Sequence, residues 1–316
     1  MVVSPSAVVW NQAGAAIGDL VRARLPDTQV IDIPLDPPEP PDPRAEILLA
    51  WPRRDLPAAA REGVDVDWAH DVRWIHSAMP GIDDYPSALL RERVVTCSRG
   101  LAAVPAAEYV LAAILSAEKH IPEIWQQDSA ATARSGTLAG KTLGIVGLGE
   151  IGTAVAERAL AFGMHVVATR RTDRPSPTAG VTLISLDELL TESHHIALTL
   201  PATPATRHCI DASAVARMRP GSHIINVARG SLIDDQALLA ALDEGRIGLA
   251  TLDVTDPEPL PANHQLRRHP RVRLSPHVSA RDPHGLERLV DRFVTNYRRY
   301  TTGDELLGLV DLAAGY

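Results

Sequence analysis

Residues 141–152 read Lys141-Thr-Leu-Gly-Ile-Val-Gly147-Leu-Gly149-Glu-Ile-Gly152, a short apolar run followed at once by a glycine-rich turn. The run from Leu143 to Val146 is predicted to be a buried strand, and Thr153 to Phe162 the helix after the turn. In this context the first glycine permits a tight turn, the second lets the backbone approach a pyrophosphate, and the third lets helix and strand pack closely. The segment therefore predicts a dinucleotide-binding sheet, against the alternative of an incidental glycine-rich turn.

The end of the second strand bears on which dinucleotide binds. The strand predicted at His165 to Thr169 lacks the acidic residue that usually binds the ribose 2′-hydroxyl of NAD(H). It ends instead in Arg170 and Arg171, with Arg174 nearby. Guanidinium groups suit a 2′-phosphate, so the sequence predicts NADP(H) as the preferred cofactor, with NAD(H) as the alternative. The competing interpretation is that these arginines are solvated.

Strands and helices alternate through the rest of this half of the chain. The predicted strands are Val166 to Ala168, Ile196 to Leu200, Ile224 to Val227, Ala250 to Val254 and Val272 to Leu274. Helical segments such as Asp234 to Glu244 lie between them. This alternation predicts an α/β fold with a Rossmann doubly wound parallel sheet.

The first hundred residues show the same alternation on a smaller scale. Their predicted strands are Ala7 to Trp10, Val30 to Ile33, Ile47 to Trp51, Val72 to His76 and Val94 to Thr96. The proline-rich segment Pro34 to Pro43 is predicted to be an extended surface connection. We therefore expect a smaller, flavodoxin-like α/β domain with a parallel sheet.

The length of 316 residues exceeds that of a typical single core and favours two domains. We place a substrate domain at residues 1–98 and the dinucleotide-binding Rossmann domain at 99–283. A long helix is predicted from about Pro105 to about His120. The segment from Pro283 to Tyr300 has apolar residues at helical spacing, so residues 284–316 are expected to return to the first domain.

Charge and composition exclude several classes of partner. The formal net charge is −8, and no run is dense in lysine and arginine, which argues against a nucleic-acid-binding protein. No apolar run is long enough to span a bilayer, and the N-terminus lacks the basic region of a signal peptide. Two cysteines, Cys97 and Cys209, lie far apart without metal-ligand spacing, so no metal site is predicted. These features favour a cytoplasmic protein that binds no membrane.

Three segments in the C-terminal half place polar side chains just after predicted strands. They are Asn226-Val-Ala-Arg229-Gly230, Asp253-Val-Thr-Asp-Pro-Glu258-Pro259 and Ser275-Pro-His277-Val278. Arg229 offers a planar set of N–H donors that fits a carboxylate or an α-keto acid. His277 is suited to proton transfer near neutral pH, and Glu258 could orient and charge it. Taken singly, such residues are more often a surface ion pair, a turn and a loop.

At these residues the chain resembles the D-isomer-specific 2-hydroxyacid dehydrogenases. The resemblance runs from Ile75-His-Ser-Ala-Met-Pro-Gly81-Ile-Asp83 through Pro105 to Leu115, the glycine-rich turn and Leu200 to Thr206 to the three segments above. Glu258 follows Arg229 by 29 residues, and His277 follows Glu258 by 19. These intervals are similar to those of the glyoxylate/hydroxypyruvate reductase branch. The resemblance implies a hydride-transferring enzyme that converts small 2-oxo acids to 2-hydroxy acids.

The resemblance also implies a role for each residue of the site. Arg229 would hold the substrate carboxylate and carbonyl, His277 would be the general acid, and Glu258 would hydrogen-bond its other ring nitrogen. Asp253 would bind the nicotinamide carboxamide. The complete set implied to contact the cofactor is Gly147, Leu148, Gly149, Glu150, Ile151, Gly152, Arg170, Arg171, Leu200, Pro201, Thr206, Val227, Ala228, Arg229, Asp253 and His277.

Substrate contacts are also implied in the first domain. The implied substrate-binding residues are Trp51, Met79, Pro80, Gly81, Arg229 and His277. Pro80 departs from the family pattern and removes one backbone N–H donor from the loop. Arg267 is a second departure, which indicates either a more acidic substrate or a solvated loop.

Two other functions fit the same cofactor site. A phosphite-type dehydrogenase would use the same scaffold, whereas a formate enzyme of this family usually pairs histidine with glutamine, against Glu258. A cofactor-sensing binding protein would retain the same polar residues without turnover. The resemblance further implies a homodimer.

Overall fold

The computed structural model of the chain describes residues 7–38, 42–56, 58–121, 123–125, 135–172 and 174–316. Residues 1–6, ahead of the predicted strand Ala7 to Trp10, and positions 39–41 of the proline-rich segment lie outside this description. The chain divides into two compact units. Unit 1 comprises Met1–Leu101 and Asp282–Tyr316, and unit 2 comprises Ala102–Arg281.

Strands and helices alternate along both units. The strands are β1 (Val8–Asn11), β2 (Val30–Asp32), β3 (Ala45–Ala50), β4 (Trp74–Ser77), β5 (Val94–Cys97), β6 (Thr142–Val146), β7 (His165–Thr169), β8 (Val181–Leu183), β9 (His195–Leu198), β10 (Ser222–Asn226), β11 (Ile247–Leu252) and β12 (Val272–Leu274). The helices are α1 (Ala15–Arg24), α2 (Ala58–Arg61), α3 (Ser87–Leu90), α4 (Ala103–Lys119), α5 (Glu150–Ala161), α6 (Leu186–Glu192), α7 (Ala212–Arg217), α8 (Asp235–Asp243) and α9 (Gly285–Thr302).

Unit 1 is built on a parallel sheet in the order β2-β1-β3-β4-β5. This is the flavodoxin-like order, in which the chain reverses direction across the sheet next to its first strand. Helix α9, from the C-terminal segment, packs on one face of the sheet, where Phe293 stacks on Trp74 with ring centroids 5.6 Å apart. The opposite face buries a second cluster that includes Trp10 and Leu48.

Unit 2 is built on a larger parallel sheet in the order β12-β11-β10-β9-β6-β7-β8. Its first six strands along the chain, β6 to β11, have the Rossmann order, and the strand order reverses between β6 and β9. Two apolar clusters cover the faces of the sheet, one containing α4 and α5 and the other α6, α7 and α8. The predicted fold class, a Rossmann sheet with a smaller flavodoxin-like α/β unit, is confirmed.

Local sequence explains where several helices of unit 2 begin. Ser185 accepts a hydrogen bond from the Glu188 N–H, and the Glu188 side chain accepts one from the Ser185 N–H, a complete capping box for α6. Asp211 and Asp234 cap α7 and α8 by accepting bonds from first-turn N–H groups. These caps fix how each helix leaves the loop after its strand.

The structure corrects the predicted bounds of several elements of unit 2. The strands predicted to reach Leu200, Val227 and Val254 end earlier, at Leu198, Asn226 and Leu252. The predicted strands ran too far because apolar residues recur past each strand end, at Leu200, Val227 and Val254. Helix α5 begins at Glu150 rather than Thr153, because Gly149 is its N-cap and the glycine-rich turn already forms its first turn. The edge strand β8 was not predicted.

Candidate active site

The residues singled out in unit 2 follow the carboxyl ends of parallel strands. The glycine-rich turn follows β6, Arg170 and Arg171 follow β7, and Leu200 and Pro201 follow β9. The Val227-to-Arg229 turn follows β10, Asp253 follows β11, and Ser275 to His277 follow β12. Because all these strands are parallel neighbours, their carboxyl ends form one edge of the sheet, where open α/β folds bind ligands.

The glycine-rich turn fits a dinucleotide pyrophosphate. Gly147 has φ 103°, and a Cβ there would lie 2.8 Å from the backbone of Leu200, so the turn requires glycine. Gly149 is the N-cap of α5, and a Cβ built on it meets nothing within 4 Å. The first-turn N–H groups of α5 therefore lie beside a space that a side chain would fill. This arrangement can hold phosphates by backbone donors.

Threonine side chains fix the loop after β9 beside this turn. Thr199 donates a hydrogen bond from Oγ1 to the Gly147 carbonyl over 2.7 Å. Thr206 donates to the Pro201 carbonyl over 2.8 Å and accepts from the Thr203 N–H over 2.8 Å. The Thr206 hydroxyl, predicted to contact the cofactor, thus closes its own turn and shapes the loop that carries Leu200 and Pro201.

The basic residues after β7 lie at the surface. Arg170 is half-buried and donates from Nη1 to the Pro175 carbonyl over 3.0 Å, while Arg171 is exposed. Glu150, inside the glycine-rich turn, is also exposed.

A buried asparagine shapes the turn that carries Arg229. The fully buried Asn226 accepts from the Ala228 N–H over 3.0 Å and donates to the Arg229 carbonyl over 2.7 Å. The guanidinium of Arg229 donates from Nη1 to the Ala228 carbonyl over 2.8 Å and stays partly exposed. Asn226 was quoted in the sequence motif without a role, and its role is to close this turn.

Glu258 and His277 form a close pair. The Nδ1 of His277 lies 2.6 Å from Oε1 of Glu258, with side chains 23% and 39% exposed. His277 has φ 54°, in the left-handed region that non-glycine residues rarely occupy. Its backbone N–H donates to the Asp253 carbonyl over 2.9 Å. With Nδ1 held by the carboxylate, the Nε2 atom is left to exchange a proton with a bound molecule.

Asp253 is the buried anchor of the loop that carries His277. One carboxylate oxygen accepts from Ser275 Oγ over 2.6 Å and from the Val278 N–H over 2.8 Å, and the other accepts from the Ser279 N–H over 2.8 Å. Burial raises the pKa of this carboxyl, but the hydrogen bonds from Ser275, Ser279 and Val278 outweigh it and the net pKa is lowered. Asp253 is therefore ionised at neutral pH.

In unit 1 the predicted substrate-binding residues follow neighbouring strands. Trp51 follows β3 and packs, partly buried, against the core of the unit. In the loop after β4, the Ala78 N–H donates to the Ala50 carbonyl over 3.0 Å and the Met79 N–H to Ser77 Oγ over 3.1 Å. Pro80 has no N–H. The Ala78 and Met79 N–H groups are thus already donated within unit 1, to the end of β3 and to the Ser77 side chain.

The structure gives Arg267 a part that neither sequence interpretation proposed. Its Nε lies 3.1 Å from the Leu260 carbonyl and 3.0 Å from the Pro261 carbonyl, and its Nη2 donates to Leu260 as well. Leu260 and Pro261 follow the Glu258-Pro259 turn. Arg267 therefore ties down the loop beyond Glu258, although its own side chain is exposed.

The fold and site define a dinucleotide-binding protein of the oxidoreductase type. A family model described as "D-isomer specific 2-hydroxyacid dehydrogenase, NAD binding domain" matches residues 111–279. The chain belongs to the D-isomer specific 2-hydroxyacid dehydrogenase family, as the sequence predicted. Within the described residues, no helix has the length and apolar character needed to cross a membrane.

Individual relatives cover most of the chain. A glyoxylate reductase of Thermofilum pendens is 32% identical over 78% of this chain and 77% of its own length. D-3-phosphoglycerate dehydrogenase of Mycobacterium tuberculosis is 33% identical over 95% of this chain, which spans 57% of the length of that relative. Among solved structures, a family member from Xanthobacter autotrophicus Py2 in complex with NADPH and MES has a TM-score of 0.86 at 26% identity, over 99% of this chain and 100% of its own.

Proposed function

We propose that the protein reduces small 2-oxo acids of the glyoxylate and hydroxypyruvate type to 2-hydroxy acids, with His277 as the general acid. The observation that carries this proposal is the 2.6 Å contact between His277 Nδ1 and Glu258 Oε1. Glu258 comes after β11 and His277 after β12, at the sheet edge where the strands before Arg229 and the glycine-rich turn also end. The residues that we assign to carboxylate binding, proton transfer and cofactor binding thus follow neighbouring strands of unit 2.

Each of the three side chains has a distinct part in the reaction. Arg229 binds the substrate carboxylate and orients the adjacent carbonyl through its planar donors. His277, as the imidazolium, gives its Nε2 proton to the carbonyl oxygen as negative charge develops there. Glu258 keeps Nδ1 protonated and stabilises the imidazolium before the transfer. In the reverse direction the neutral imidazole accepts the proton from the hydroxyl.

The nicotinamide cofactor, when bound, supplies the hydride that adds to the carbonyl carbon. We assign its phosphates to Gly147, Gly149, Gly152 and the N-terminus of α5. Around its other groups we place Leu148, Ile151, Leu200, Pro201, Thr206, Val227, Ala228 and Asp253. The preference for NADP(H) rests on Arg170 and Arg171, on the lack of an acidic residue at the end of β7, and on the NADPH held by the Xanthobacter relative.

The substrate class follows from Arg229 together with the named relatives. A glyoxylate reductase and a D-3-phosphoglycerate dehydrogenase both act on acids whose oxidised form is a 2-oxo acid. In unit 1 we assign substrate contacts to Trp51, Met79, Pro80 and Gly81 on the family resemblance. We also propose that the protein is a homodimer and that it is cytoplasmic. Light scattering measures the oligomeric state.

The experiment that tests the proposal is a spectrophotometric screen of glyoxylate, hydroxypyruvate, 3-phosphohydroxypyruvate, pyruvate and 2-oxoglutarate with NADPH and NADH in parallel. We expect turnover with the smallest oxo acids and higher kcat/KM with NADPH. NADPH binding without turnover of any oxo acid would contradict the proposal and favour a cofactor-sensing binding protein. Phosphite-dependent reduction of the oxidised cofactor would instead indicate a phosphite-type dehydrogenase.

A further inference from the structure

A chain of short hydrogen bonds connects α4 to the loop that carries His277. The Tyr109 hydroxyl lies 2.5 Å from Ser275 Oγ, although the two residues are 166 positions apart. Ser275 Oγ in turn lies 2.6 Å from Asp253 Oδ1. All members lie in unit 2. The proposed chemistry uses His277 but gives no part to Tyr109 or Ser275.

The direction of these hydrogen bonds follows from the donors available. An ionised carboxylate only accepts, so Ser275 directs its single hydroxyl proton to Asp253. Tyr109 must then donate its proton to Ser275 Oγ. Burial raises the pKa of Tyr109, so its hydroxyl remains a donor across the physiological pH range. The order of donation is therefore Tyr109 to Ser275 to Asp253.

Asp253 in turn accepts hydrogen bonds from three consecutive residues, 277–279. Its carboxylate accepts the N–H groups of Val278 and Ser279, and its carbonyl accepts the N–H of His277. His277 adopts a left-handed φ of 54°, which is unfavourable for a side chain with a Cβ and persists only where the surroundings hold it. The three bonds to Asp253 restrain the backbone at His277 and at the two residues after it.

We propose that Tyr109 and Ser275 are positioning residues that orient Asp253, and through it hold the His277-to-Ser279 turn so that His277 faces Glu258. The proposal deepens the proposed function, because it rests on His277 being the general acid. Tyr109 and Ser275 act at a distance from the reacting atoms. They fix the backbone that sets the direction of the imidazole, and neither exchanges a proton with the substrate.

Hydrogen–deuterium exchange measures the anchoring directly and needs no substrate. In Tyr109→Phe and Ser275→Ala, we expect the amides of residues 277–279 to exchange about tenfold faster or more, since hydrogen bonds to the carboxylate lose their support. Ser275→Thr keeps the hydroxyl and is expected to restore protection. The matched controls are Tyr300→Phe in α9 and Ser193→Ala, a buried serine after α6. Unchanged exchange in both Tyr109→Phe and Ser275→Ala would overturn the proposal.

Kinetics test the consequence for catalysis. We expect Tyr109→Phe and Ser275→Ala to lower kcat by about tenfold, because positioning of the acid is lost. The KM for NADPH should rise by less than about threefold, because Asp253 is the one assigned cofactor contact that these variants disturb. The double variant should be no slower than Ser275→Ala alone, because Tyr109 acts only through Ser275. A multiplicative loss in the double variant, or an equal loss in the two controls, would contradict the proposal. If the wild type reduces none of the oxo acids, the proposed function fails, and the exchange experiment still decides the anchoring.

Discussion

A Cβ atom on Gly230 would lie 2.0 Å from the carbonyl carbon of Thr255 and 2.4 Å from the N of Asp256. Gly230 directly follows Arg229, and Thr255 and Asp256 directly precede the Pro257-Glu258 segment. The two loops that carry the proposed carboxylate-binding residue and the proposed partner of the acid are therefore in backbone contact. No residue with a side chain fits at position 230 without separating them.

This contact predicts the effect of Gly230→Ala. The methyl group must displace the Thr255–Asp256 backbone, which is expected to cost about 1–3 kcal/mol of unfolding free energy and to lower kcat through both loops. Thermal and urea denaturation measure the first effect and steady-state kinetics the second. Gly285→Ala is the matched control, because a Cβ at Gly285 meets nothing within 4 Å. Equal stability of the two variants would contradict the close approach.

Gly149→Ala distinguishes an effect on NADPH affinity from an effect on the free energy of unfolding. Within the chain its Cβ meets nothing within 4 Å, so the unfolding free energy should stay within about 0.5 kcal/mol of wild type. The methyl group would occupy the space assigned to the pyrophosphate, and NADPH binding should weaken by about tenfold or more. A fluorescence titration with NADPH measures this change. Wild-type affinity in Gly149→Ala would place the phosphates elsewhere.

Arg229→Ala tests the carboxylate contact. We expect kcat/KM for glyoxylate to fall on the order of 10²–10³-fold, because the planar donors that orient the oxo acid are lost. NADPH binding should remain close to wild type. Arg229→Lys keeps the charge but not the planar donors and should recover only a small part of the activity. Near-wild-type kcat/KM in Arg229→Ala would remove this residue from the substrate site.

Substitution of Arg170 and Arg171, which follow β7, tests the preference for NADPH over NADH. In Arg170→Ser/Arg171→Ser, the KM for NADPH should rise by about tenfold or more while that for NADH changes little, because only NADPH carries the 2′-phosphate. The charge-matched control is the double variant Arg268→Ser/Arg298→Ser, at two exposed arginines away from β7. Equal losses for both cofactors would show that these arginines do not read the 2′-phosphate.

The sequence predicted the fold class because glycine spacing and short apolar runs are local signals. It also predicted which residues share the sheet edge, since in a parallel sheet the residues after successive strands lie side by side. Strand β8 (Val181–Leu183) escaped prediction although the predicted β12 is equally short and also has a polar residue at its centre. The difference is that a polar motif, Ser275-Pro-His277, follows β12 and marks its end, whereas no such motif follows β8.

Local sequence signals do not predict contacts between distant parts of the chain. The Tyr109–Ser275 hydrogen bond depends on how α4 packs on the sheet, and tyrosine in an apolar helix is typical of core packing. The sequence offered two interpretations of Arg267, an acidic substrate or a solvated loop. Its bonds to the Leu260 and Pro261 carbonyls depend on the path of the loop, which no local pattern encodes.

The general acid assignment is the centre of the proposed function. The most direct test compares glyoxylate-dependent NADPH oxidation by the wild type and by His277→Ala across the pH range. We predict measurable turnover in the wild type, a loss of about 10²–10⁴-fold in the variant, and a pH profile of the residual rate without the limb that the acid produces. NADPH binding should be retained in both. Equal rates in the two proteins, or a bell-shaped profile that survives in His277→Ala, would contradict the assignment.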